Sequence, residues 1–150
     1  MTPDDVPDGP LCVDTDVFSL VFTKKGRYED FLPLIEGRVL AVSFAVVAEL
    51  RAGAIKAGWG RRRRERQERI LRQHYVVLTP TDRVVTKFAE LYAVLGEDRL
   101  KRGGVNDQWT AACALAQDPP MPIATGNLRD FEKIAEIAPT LTLVHPDPVT

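Results

Sequence analysis

Cysteine is scarce: the chain has two, Cys12 and Cys113, and no Cys-x-x-Cys pair, so a zinc ribbon is excluded. Both lie in apolar surroundings and read as small buried hydrophobes. Histidine is equally rare. His74 ends a basic stretch and His145 sits near the end of the chain, and neither is placed with a Ser or Cys as a nucleophile pair. Gly-x-Ser-x-Gly, the phosphate-binding P-loop and the Gly-x-Gly-x-x-Gly turn are all absent. No window holds eighteen uninterrupted apolar residues, so no membrane span is expected. The first ten residues carry Asp4, Asp5 and Asp8 but no Lys or Arg, which is not the positive start of a secretory signal. The expected location is the cytoplasm.

What is present fits one soluble domain. A chain of 150 residues with 45% hydrophobic and 27% charged residues is long enough to bury a core and ordinary enough to fold as one unit. Residues 1–9 read as a disordered leader, 10–145 as the domain and 146–150 as a tail. Strand candidates are 11–14, 38–42, 75–78, 121–124 and 141–144. Helix candidates are 16–22, 28–36, 44–57, 60–74, 82–95, 107–117 and 128–137. The clearest helix is 82–95, where Val84, Val85, Phe88, Leu91, Tyr92 and Leu95 form one apolar stripe that Gly96 stops. Five short strands alternating with helices predict an α/β fold, a three-layer α/β/α sandwich around a parallel sheet of about five strands.

Four acidic positions then stand out. Asp14 follows the apolar run Leu11-Cys12-Val13, at the end of a strand where open α/β sheets place their ligands. It can equally cap the next helix. Asp16 reads as a cap, an extra ligand or a turn residue. Glu49 has only Ala45, Val46, Ala52 and Gly53 as helical neighbours, none able to pair with it. Asp107 opens the helix that follows Asn106, where an acid also favours the helix dipole with no further role. Asp130 stands three residues after Asn127, the offset of a helix cap and its partner. Parallel topology gathers strand ends at one edge of the sheet. Carboxylates collected there repel each other unless a divalent cation is bound, and oxygen ligands suit Mg²⁺ or Mn²⁺.

The order of these motifs resembles the PIN domain, and within it the VapC-type toxins of bacterial toxin–antitoxin pairs. The segments are Asp14-Thr15-Asp16, Ala48-Glu49-Leu50, Asp107 through Ala112, and Thr125 through Phe131, so the likeness spans about residues 11–145. One departure is Asp16, where the family often has Asn. Either Asn127 or Asp130 fills the fourth polar position, with Asp130 favoured. The resemblance implies a PIN-like fold and a metal-dependent endoribonuclease. Its Mg²⁺, or Mn²⁺, would be held by Asp14 and Asp107, with Glu49 and Asp130 in or behind the first set of ligands, and metal-activated water would cleave RNA. Thr15 and Thr125 would orient ligands or simply shape turns. It also implies a VapB-like antitoxin and a homodimer.

The charge is unevenly spread. Residues 61–72 hold seven Arg against two Glu. Arg61, Arg62, Arg63 and Arg64 read as contacts to RNA phosphates or to an antitoxin, and Trp59 as a platform for a base. The alternative is a solvated helix laced by the pairs Arg61–Glu65, Arg64–Glu68, Glu65–Arg69 and Glu68–Arg72. Two other functions compete. Asp14-Thr15-Asp16-Val17 resembles the nucleophile motif of haloacid dehalogenase-like phosphohydrolases, but no Asp-Asp pair follows residue 5 and Glu49 would have no role. A catalytically inactive PIN-like binding module is the other.

Overall fold

The computed structural model describes residues 3–96 and 104–147. Its strands are β1 (Leu11–Val13), β2 (Leu40–Ser43), β3 (Tyr75–Leu78), β4 (Ile123–Ala124) and β5 (Leu143–Val144). Its helices are α1 (Thr15–Thr23), α2 (Tyr28–Ile35), α3 (Phe44–Lys56), α4 (Arg61–His74), α5 (Asp82–Leu95), α6 (Gly104–Leu115) and α7 (Leu128–Ile137). All strands pair in parallel, in the order β3-β2-β1-β4-β5. The chain starts at the centre, runs out to one edge through β2 and β3, and then returns to β4 and β5 on the other side. The order therefore reverses at β1, and the crevice beyond its carboxyl end is where such sheets bind ligands.

Side chains alternate across each strand and so sort themselves between two cores. Leu11, Val13, Val42, Ala124 and Val144 pack with α1, α2, α3 and α4, where Phe18 and Phe31 are among the largest fully buried side chains. Cys12, Ala41, Ile123 and Leu143 face the opposite way and pack with α5, α6 and α7 around Phe131. This is the expected α/β/α sandwich. Both cysteines are buried and free.

Several boundaries shift. The last two strands shrink to two residues each, and α6 begins at Gly104, one turn before Asp107. The described part of the expected leader is not loose. Pro3–Asp5 form a 3-10 turn, Val6 is buried, and the Arg38 guanidinium donates to the carbonyls of Val6, Pro7 and Gly9. Residues 1–2 of that leader and 148–150 of the tail lie outside the described residues. His145, at the end of the expected domain, is tied in as well. It is buried edge-on against Phe31, and its Nδ1 accepts the Asp147 N–H at 2.9 Å. Among the described residues no helix is long and apolar enough to cross a membrane.

Candidate active site

Asp14 stands at the carboxyl end of β1, and the turn into α1 explains its geometry. Its backbone is extended, and one carboxyl oxygen caps α1 by accepting the Val17 N–H at 2.9 Å. The other accepts the Thr125 hydroxyl at 2.5 Å and the Gly126 N–H at 3.3 Å, both from the turn after β4. Capping and site geometry are thus the same feature, since one oxygen holds α1 while the other faces the β4–α7 turn. The side chain is 6% exposed. Burial pushes its pKa up to about 7, against the pull of the Thr125, Val17 and Gly126 hydrogen bonds, and the nearby Asp16 charge adds to the rise.

The β4–α7 turn is built to reach Asp14. The Thr125 hydroxyl accepts the Asn127 N–H at 2.8 Å while donating to Asp14. A Cβ at Gly126 would sit 3.0 Å from the Asp16 Cβ, tighter than an ordinary contact, so glycine eases the close approach of this turn to α1. Asp16 itself is exposed in the first turn of α1. The Asn127 side chain does not cap α7. Its amide donates to Asp130 at 2.6 Å instead.

Glu49 and Asp107 come from helices that flank this crevice. Glu49, on α3, is half-buried and accepts the Thr15 hydroxyl at 3.2 Å, a partner that lies 34 residues away and so escaped its helical neighbourhood. Burial is the main cause that raises its pKa, with Asp16 contributing. Asp107, in the first turn of α6, is pushed up to about 7, first by burial and then by the charges of Asp14, Glu49, Asp130 and Asp16.

Asp14, Asp16, Glu49 and Asp107 line one cleft of about 510 Å³, together with Asn127 and, as the one cation among the described residues, Lys56. Asp130 does not line it. It lies next door, with Asp107 and Lys133, around a smaller space of about 230 Å³. Asn127 therefore faces the acid cleft and Asp130 stands behind it. Among the described residues, no group of three or more His, Cys, Asp or Glu side chains is arranged to hold a metal ion.

Two residues of the site were not singled out by sequence. Ser43 caps α3 and shares a buried 2.8 Å hydrogen bond with the Thr110 hydroxyl, which lines the cleft one turn after Asp107. This pair ties α3 to α6, and so Glu49 to Asp107. A Ser at the end of a strand before a helix is a readable cap signal; its partner on α6 is not. Trp59 packs within the protein: its ring stacks on Phe22 at 5.7 Å and carries the Arg63 guanidinium at 4.0 Å.

The fold and the site place this chain among known proteins. The model of the PIN domain family matches residues 11–137. VapBC2 from Rickettsia felis bound to a promoter DNA fragment is similar at TM-score 0.70 and 23% identity, over 90% of this chain and 97% of that one. DNA-bound VapBC from Salmonella typhimurium is similar at TM-score 0.71 and 21% identity, over 93% and 100%. VapBC-5 from Mycobacterium tuberculosis, a member of the VapBC family of toxin–antitoxin systems, is similar at TM-score 0.62 and 24% identity, over 92% and 99%. Comparison with curated proteins finds no match.

Proposed function

The chain belongs to the PIN domain family, and on that premise we propose that it is a divalent-metal-dependent endoribonuclease acting as a VapC-like toxin. The observation that carries this reading is the pair Asp14 and Asp107, both pushed up to about 7 and sharing one cleft with Glu49 at the switch point of the sheet. Buried carboxyls gathered this way hold protons in place of a cation and release them when one binds. The donor set is all oxygen, which suits Mg²⁺ or Mn²⁺. Asp14 and Asp107 are the direct holders, with Glu49 contributing directly or through water and Asp130 acting from behind them. Mg²⁺ keeps several waters and takes one or two carboxylates, so it needs no three-acid cage among the described residues. When bound, such an ion supplies an acidified water and neutralises charge developing on a phosphodiester.

The protein's own part is to fix the acids. Three hydrogen bonds hold Asp14 in one rotamer. Thr15 tethers Glu49, and Asn127 tethers Asp130. Similarity to VapBC complexes supports a VapB-like antitoxin as partner, and the family resemblance supports a homodimer and a cytoplasmic site of action. The dehalogenase-like alternative falls with the family match. It would also leave Glu49 without a role.

The test is to incubate the purified chain, freed of any partner, with cellular RNA and Mg²⁺ or Mn²⁺ and to map the new ends. Discrete cleavage that EDTA abolishes is expected. Asp14→Asn is expected to stay folded and lose more than about 100-fold in rate, beyond what loss of an outer hydrogen-bonding partner costs. Full activity in Asp14→Asn would remove it from the site. No cleavage of any RNA by the intact chain would favour the inactive binding module.

A further inference from the structure

An acid cleft cannot itself attract a polyanion. Among the described residues four acids and one Lys line it, whereas backbone affinity for nucleic acid comes from cations that displace counterions from phosphates. Among the described residues a cluster of cations lies instead at the far end of α1. There Lys25, Arg62, Arg63, Arg66 and Arg69, with Glu65 as the one acid, surround a groove of about 810 Å³ over Phe22. We infer that this face of α4 binds the phosphate backbone of single-stranded RNA outside the acid cleft, an inference that rests on the nuclease reading above.

Three features distinguish this face from an ordinary charged helix. Arg63 stacks on Trp59 at 4.0 Å and Arg66 on Phe22 at 5.0 Å, while the two rings stack on each other. Stacking orders a guanidinium plane yet leaves its N–H fork for an oxyanion. The two glutamates of α4 are also engaged with other arginines, Glu65 with Arg61 at 2.9 Å and Glu68 with Arg51 of α3 at 2.7 Å. Among the described residues, Arg62, Arg63, Arg66 and Arg69 make no ion pair. Finally, α1 joins the two regions. Thr15 and Asp16 at its start line the acid cleft, and Phe22 and Thr23 at its end line the groove. Nine residues of helix span about 13 Å, a distance one RNA strand bridges. The consecutive set Arg61 to Arg64 is therefore split: Arg62 and Arg63 face this groove, while Arg61 and Arg64 face another on the α3 side. An acidic peptide would meet the same forks, but a phosphodiester-cleaving cleft on the same helix favours RNA.

The experiment measures binding of a single-stranded RNA of about 12 nucleotides, a length such surfaces cover, to the full chain in EDTA across a salt series. Replacing Arg62, Arg63, Arg66 and Arg69 by Gln is expected to weaken binding more than about 10-fold and to make the salt slope shallower by roughly 0.7 per lost contact. A control lacking Arg83 and Lys87 on α5 should keep the slope. Because Arg63 and Arg66 also pack on rings, the double variant Arg62→Gln with Arg69→Gln tests the surface with the stacks intact, and about half the change is expected. A slope equal to that of wild type in both variants overturns the inference. So does arginine-dependent binding of poly-glutamate without binding of RNA. A shallower slope in a chain that cleaves no RNA with Mg²⁺ would leave this surface standing and remove the nuclease reading. Cleavage indifferent to the four arginines, with an unchanged slope, would do the reverse.

Discussion

Asp14 is 6% exposed and makes three hydrogen bonds, whereas Arg61 through Arg66 all lie on the surface, and the Arg61–Glu65 pair is 87% and 59% exposed. The acid cleft has few charges and binds each to a specific neighbour. The arginine face has many charges and holds two of them by stacking alone. Burial separates the two regions. In the cleft burial pushes Asp14 and Asp107 up to about 7, and neighbouring acids add to the rise. On α4 water screens each charge, so what matters there is number and direction.

The largest effect that would sharpen this contrast is on stability against pH. Asp14 and Asp107 titrate near 4 when unfolded and at about 7 when folded. Between those values the folded chain binds more protons, so its stability must fall as pH rises through that window. Each group contributes at most about 1.4 kcal/mol per pH unit. In EDTA the Tm should therefore drop from pH 4 to pH 7, with Mg²⁺ raising it most at the upper end. Asp14→Asn should flatten the curve, and a curve unchanged by that substitution would show that burial does not tune the cleft.

Next in size is Thr125→Val, which keeps the shape and removes the hydroxyl that donates to Asp14. Cleavage should fall about 10–100-fold, as for other partners that orient a metal-binding carboxylate, and Thr125→Ser should restore most of it. A loss not recovered by Ser would assign Thr125 to packing instead. The smallest effect belongs to the other region. Arg61→Ala breaks an exposed ion pair, and thermal unfolding should shift by less than about 2 °C. A larger shift would mean that α4 charges support the fold, and the contrast would fail.

Much of this was legible because it is local. The helix at 82–95 follows from its apolar stripe, and the alternation of strands and helices gave the layers. The acids were visible as charges at strand ends and on small-residue helix faces. The unread parts depend on residues far apart in sequence. Glu49 looked unpartnered because Thr15 lies 34 positions away. Glu68 fitted a pair with Arg64 or Arg72 but turns to Arg51 of the neighbouring helix. Asp107 read as the opener of α6 because nothing before it shows the apolar period, yet Gly104 is already helical. Asn127 and Asp130 had the spacing of a cap, and which of them faces the cleft depends on how α7 leans on the sheet.

The sequence by itself determined which residues are acidic, which are apolar and at what period, and hence the elements and their class, since those choices are made within a few residues by hydrogen bonding and burial. Only the tertiary structure decided that Asp14, Glu49 and Asp107 share one cleft, and that Asp130 stands behind Asn127. The same packing sets Trp59 against Phe22 and Arg63. Proximity and desolvation arise only when distant segments are packed against one another, and those two quantities turn ordinary carboxyls into groups that titrate near neutrality.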